Sequence, residues 1–160
     1  TKIKEAIKII MSKQESDLHK FVKDFRTIFF SLPAESVSFP RSCNNMKKYY
    51  SSSDIFIKGT PIHVKGALIY NHQIKEFGLQ NKYPLIQEGD KIKFVKLVEA
   101  NPFKFDVISY VTQLPKEFKL EKYIDYEIQF EKTFVDPIRF ILQPIGWTPE
   151  PKASLEAFFG

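Results

Sequence analysis

Pro61-Ile62-His63-Val64-Lys65-Gly66-Ala67-Leu68-Ile69-Tyr70 alternates in chemistry along the chain. Ile62, Val64, Leu68 and Tyr70 fall on one side of a two-residue repeat, and His63, Lys65 and Ala67 on the other. Successive side chains of a strand point to opposite faces, so the segment is expected to be a strand with one buried face. Two more segments read the same way: Lys91-Ile92-Lys93-Phe94 after the turn Glu88-Gly89-Asp90, and Phe105 to Val111. Three alternating segments predict a small antiparallel sheet, with a short helix within residues 71–80.

Helical spacing flanks these segments. Ile3, Ala6, Ile7 and Ile10 recur at three and four residues. Ser12-Lys13-Gln14-Glu15 reads as a capping box, with Ser12 at the N-cap and Glu15 three positions on. Leu18, Phe21, Val22, Phe25, Ile28 and Phe29 then form an apolar stripe, so a helix is expected over 13–31, ending before Pro33. Residues 33–60 are punctuated by Pro33, Pro40, Asn44-Asn45, Ser51-Ser52-Ser53 and Gly59 and read as irregular. Pro115 is placed to open a short helix. Asp125 is a candidate N-cap for a long helix through Ile145, which Pro137 should kink and Gly146 should close. The predicted fold class is α+β: a small antiparallel sheet flanked by helices, with a flexible C-terminal tail.

The 160 residues hold 43% hydrophobic side chains and 16 Phe, enough for a buried core, which excludes a disordered chain. No apolar run approaches the roughly 20 residues of a membrane helix. No basic-then-apolar leader is seen, so secretion is not expected, and a start at Thr1 rather than Met suggests a piece of something longer. A lone cysteine, Cys43, rules out an internal disulfide and fits a reducing compartment. The net charge of +5 is unevenly placed: residues 1–38 carry +2, residues 39–75 carry +5 with one acid, and residues 76–160 carry −2. A basic segment almost free of acids is the footprint of a phosphate-backbone binder, although a solvated lysine-rich face has the same composition.

Residues for catalysis are not assembled. His19, His63, His72 and Cys43 have no zinc spacing, and no phosphate-binding glycine motif is present. Asp125-Tyr126-Glu127 is the nearest carboxylate cluster, and a helix N-terminus explains it better, because the macrodipole favours acids there. Glu117-Phe118-Lys119 matches the E-x-K element of metal-dependent nucleases but lacks a partner carboxylate on a nearby strand. Cys43 has no flanking sign of a lowered pKa. No catalytic and no metal-binding residue is therefore expected. Binding remains: Arg41, Lys47, Lys48, Lys58 and Lys65 with Tyr49, Tyr50 and Gly59. On the expected strand His63 and Lys65 share a face, with a structural histidine bonded inside the sheet as the other reading of His63. At the C-terminus, one helical turn would set Leu155, Phe158 and Phe159 on one side, as in helix-in-groove ligands, or else fold back on its own domain.

The run Gly59-Thr60-Pro61-Ile62-His63-Val64-Lys65-Gly66-Ala67-Leu68 resembles the thumb domain of family B replicative DNA polymerases of T-even-type bacteriophages. Further landmarks keep the family's order: Phe39-Pro40-Arg41, Gly89-Asp90-Lys91-Ile92, Asn101-Pro102-Phe103 and Leu114-Pro115-Lys116-Glu117. Tyr123-Ile124-Asp125-Tyr126, Phe130-Glu131-Lys132-Thr133-Phe134 and Lys152-Ala153-Ser154-Leu155 with its aromatic ending complete the set. The likeness runs from about residue 12 to 160. It implies a helical lead-in over 1–31, a thumb over 32–147, and a linker with a sliding-clamp-binding tail over 148–160. It implies that the chain grips newly made primer–template duplex in the cytoplasm of an infected bacterial host. The implied partners are that duplex, a sliding clamp, and the palm, fingers and exonuclease in the same or a separate chain.

Positions matching the family's DNA-contacting stretch are Lys58, His63, Lys65, Lys91 and Lys132; Leu155, Phe158 and Phe159 match its clamp-binding end. The metal-binding aspartates of the palm and the acids of the exonuclease have no counterpart, so the chain alone should not polymerise. It should carry no cofactor of its own, the full polymerase using divalent metal ions, expected to be magnesium. Lys47-Lys48-Tyr49 is similar to a basic-aromatic element that in the family lies upstream of the thumb, so that role is not carried over. The competing expectation is a free-standing interaction module that binds a partner through its tail without nucleic acid.

Overall fold

The computed structural model describes residues 1–151. Helices α1 (Lys2–Ser12), α2 (Glu15–Phe29) and α3 (Ala34–Val37) lead to strand β1 (Phe39–Ser42), helix α4 (Met46–Tyr49) and a small hairpin, β2 (Tyr50–Ser51) with β3 (Ile55–Phe56). Helix α5 (Ile62–Glu76), strands β4 (Lys91–Lys96) and β5 (Val107–Tyr110), and helices α6 (Tyr126–Phe130) and α7 (Asp136–Leu142) follow. Contacts divide the chain into two units, one of residues 1–32 with 130–160 and one of residues 33–129. Among the described residues no helix is long and apolar enough to cross a membrane.

The first unit is helical and built on phenylalanine. Phe25 lies 4.8 Å from Phe134, 5.6 Å from Phe130 and 6.0 Å from Phe29, with steep interplanar angles. Edge-to-face packing of this kind sets the positive ring edge against the negative face. Leu18, Val22, Ile138 and Leu142 fill the remaining interior. The expected Ser12–Glu15 capping box is not formed. Ser12 ends α1 and donates to the Lys8 carbonyl at 2.7 Å. The cap of α2 is Gln14, whose N–H donates to Asp17 Oδ2 at 3.0 Å, and Glu15 instead accepts the Thr148 N–H at 3.0 Å.

The long helix expected from Asp125 is present in interrupted form. Asp125 caps it, accepting the Ile128 N–H at 3.1 Å. Pro137 lacks an N–H, and its ring would crowd the carbonyl of Thr133 four residues back. The backbone answers with a π-helical turn over Glu131–Val135, where the Asp136 N–H bonds to Glu131 O. Gly146, at φ +74°, closes the last turn.

The second unit holds an antiparallel sheet in the order β1-β4-β5. Phe39 pairs with Phe94 and Ser42 with Lys91; Phe94 pairs with Ser109 and Lys96 with Val107. β4 and β5 are the two strands expected from residues 91–94 and 105–111. Residues 61–70, however, are not a strand. They form the first part of α5, which also absorbs the short helix expected over 71–80. Val64 and the run Gly66 to Tyr70 are all buried, so this first part of α5 shows no clear 3.6-residue period; exposed polar residues come only later, at His72, Lys75 and Glu76. The remaining strand is β1, in the region that read as irregular, which also holds α3, α4 and the β2–β3 hairpin. Pro40 is tolerated because β1 is the sheet's edge.

α5 presses one face onto the sheet, most closely at Gly66. A Cβ built there would stand 2.3 Å from Ser109 Oγ and 2.8 Å from its backbone nitrogen. Ser109 in turn donates to the His63 carbonyl at 2.8 Å. Past the last β1–β4 pair, the fully buried Gln129 accepts the Lys96 N–H at 2.9 Å and donates to Val37 O at 2.6 Å.

Candidate nucleic-acid interface

The approach to α5 gathers features suited to an anion. Lys58 is exposed in the turn before it, and Gly59 sits at φ +87° with open space around it. Thr60 Oγ1 donates back to the Ile57 carbonyl at 2.6 Å, so it leaves the helix end uncapped. Pro61 starts α5 with no side-chain cap, and no acid lies in the first turn. The first backbone N–H groups of a helix have no partner inside it and point outward along a favourable dipole.

His63 and Lys65 do not share a face. Two residues apart on a helix they diverge by about 200°. His63 turns to the sheet, its ring 6.4 Å from Phe94. Burial lowers its pKa below 6.5, and the Arg41 guanidinium lowers it further, against a hydrogen bond to the Ser42 backbone. The lowered pKa favours the uncharged imidazole. Lys65 reaches the other way, to Asp106 Oδ1 at 2.8 Å, with its ammonium 4.9 Å from the centre of the Phe56 ring. Lys96 holds Asp106 Oδ2 at 3.0 Å. Burial works against the Asp106 charge, but the two lysines outweigh it and hold the carboxyl below its ordinary range.

Lys91 is exposed at the start of β4, opposite Ser42, and Lys93 stands opposite Pro40 on the same sheet face. Arg41 lies between these rungs on the other face, 5.8 Å from the Phe94 ring centre, donating to Pro40 O at 2.7 Å. The paired strands thus carry Lys91 and Lys93 on β4 and Arg41 on the edge strand β1. Nearby acids are engaged with backbone: Glu88 accepts from Asn45 (2.7 Å) and Met46 (2.9 Å), and Asp90 from Gln87 (2.8 Å). Lys93 escaped the sequence reading, although its alternation with Lys91 was the available signal. Lys132 lies in the helical unit, exposed in the π-turn, 3.5 Å from Asp136. Leu155, Phe158 and Phe159 lie outside the described residues.

The nuclease-like triplet is spent on local structure. Glu117 accepts the Tyr83 hydroxyl at 2.7 Å and pairs with Lys82 at 2.9 Å. These hydrogen bonds, Lys82 first, bring its pKa down to about 2. Cys43 is buried, and that burial, with Glu88 and Asp90 nearby, pushes its thiol up to about 11. Among the described residues no three His, Cys, Asp or Glu side chains are grouped to hold a metal ion.

The described residues set exposed cations on an α+β fold. The comparison with known proteins is more particular. The chain is 28% identical over 162 residues to the DNA-directed DNA polymerase of Enterobacteria phage T4, covering 99% of this chain and 18% of that protein. It is 32% identical over 162 residues to the DNA-directed DNA polymerase of Escherichia phage RB69, covering 98% of this chain and 17% of that protein. The chain is thus similar, over nearly its whole length, to a segment of the DNA polymerases of T-even-type phages, and spans less than a fifth of those relatives. No protein-family model matches it.

Proposed function

We propose that this chain is the thumb of a phage-type family B DNA polymerase. It grips primer–template duplex through the phosphates, and Leu155, Phe158 and Phe159 dock a sliding clamp. The observation that carries this reading is the similarity of 98–99% of the chain to two phage DNA polymerases. The cations Lys58, Lys91, Lys93 and Arg41, together with the uncapped start of α5, support phosphate contacts, which position a protein on duplex without reading its sequence. Catalysis and its divalent metal ions belong to other parts of the polymerase, and the place of action is the cytoplasm of the infected host.

The test is binding to duplexes of unrelated sequence across a range of salt. Four phosphate contacts give a log–log slope of about −4 with no sequence preference. A chain that ignores duplex at low salt yet binds a partner through its tail would be the interaction module instead. Replacing Phe158 and Phe159 by Ala is expected to abolish retention on immobilised sliding clamp and leave the DNA isotherm unchanged; loss of both activities together would mean that the tail is part of the fold.

A further inference from the structure

Asp106 is out of place in its surroundings. Residues 39–75 hold a single acid, Asp54; the fold brings Glu88 against the backbone of Asn45 and Met46, and brings Asp106, from just before β5, against the Lys65 side chain. The Asp106 carboxylate lands between two lysines, one oxygen on each, at 2.8 Å from Lys65 and 3.0 Å from Lys96. The lysine side chains are 23% and 25% exposed and the Asp106 side chain 49%, with the Asp106 Oδ1 atom itself buried. Three charged groups present a net charge of +1 where two lysines alone would present +2. Lys65 is the fourth residue of α5, inside the uncapped first turn that Lys58 precedes. A phosphate approaching that turn therefore meets two occupied ammonium groups and one negative charge.

Resting on the reading of the chain as a duplex grip, we infer that Asp106 sets the strength of that grip. It withholds Lys65 and Lys96 from the DNA backbone and repels the phosphates that pass it. Duplex must advance through a polymerase at every nucleotide added, and a moderated hold permits that advance. Lys65, assigned to DNA by resemblance, acts through this pairing rather than as a free contact.

Four chains decide the matter: the unsubstituted chain, Asp106→Asn, and Lys65→Ala placed in each of those two backgrounds. Each is titrated with a 20-base-pair duplex of arbitrary sequence at several salt concentrations. Asp106→Asn is expected to bind about fivefold tighter near 0.1 M salt, with a slope steeper by about one to two, because each released lysine adds roughly one counterion. The loss from Lys65→Ala is expected to be larger in the Asp106→Asn background. Equal or weaker binding by a folded Asp106→Asn chain, with an unchanged slope, overturns the inference while leaving duplex binding standing. Absence of binding by the unsubstituted chain overturns the grip itself. If Asp106→Asn does not fold by circular dichroism, Asp106→Ser makes the same charge change with a smaller side chain and is judged by the same slope.

Discussion

Gly66 and His63 show how much single residues of α5 are constrained by the sheet beneath them. Adding a methyl at Gly66 gains about 1 kcal/mol of helix propensity. Against this, the new Cβ meets Ser109 at 2.3 and 2.8 Å, and overpacking costs about 3 kcal/mol. The clash wins: Gly66→Ala is expected to lose about 2 kcal/mol in urea unfolding. Adding Ser109→Ala should restore only part, because the backbone nitrogen stays in the way. His63 titrates below its ordinary 6.5, owing to burial first and Arg41 second. Its contribution to stability is thus complete above pH 6.5 and falls as acid protonates the unfolded chain before the folded one. An NMR titration should place its midpoint below 6.5, and Arg41→Gln should raise that midpoint; a midpoint that stays put would remove Arg41 as a cause.

Elements were legible in the sequence where one face meets water. β4 alternates and α2 carries an apolar stripe because each is partly solvated, whereas β5 is buried throughout and was legible from its β-branched and aromatic residues. α5 was not, since burial from Gly66 through Tyr70 erases the period that distinguishes helix from strand. β1 was hidden by its four-residue length and by Pro40, which only an edge position excuses. Of the candidate site, Lys58 and Lys91 could be read locally, whereas the binding of Lys65 to Asp106 is made by tertiary folding and leaves no local mark. Asp125 and Pro137 acted as their chemistry demands, the proline through a π-turn rather than a break. In that segment Phe134 is 1% exposed and 4.8 Å from Phe25. Phe134→Ala is expected to cost about 3–5 kcal/mol by calorimetry or urea; a change under about 1 kcal/mol would mean the ring cluster is not structural.

At the scale of the whole chain, the division into two units makes a further prediction. The cluster that packs around α5 and the sheet draws all its buried residues from Ala34 to Ile124, so residues 33–129 carry their own core. That fragment alone is expected to unfold in one cooperative step. Gln129→Ala, which orphans the buried Lys96 N–H and Val37 carbonyl, should cost it about 2 kcal/mol. A fragment without a cooperative transition would show that its core depends on the helices.

The backbone passes into this unit at residues 32–33 and out at 129–130, and the Gln129 amide fastens the way out to Val37, near the way in, at 2.6 Å. A module whose two ends are stitched together is a cassette. It can be lengthened or shortened at its outer turns, joined end to end, or reopened elsewhere as a circular permutant.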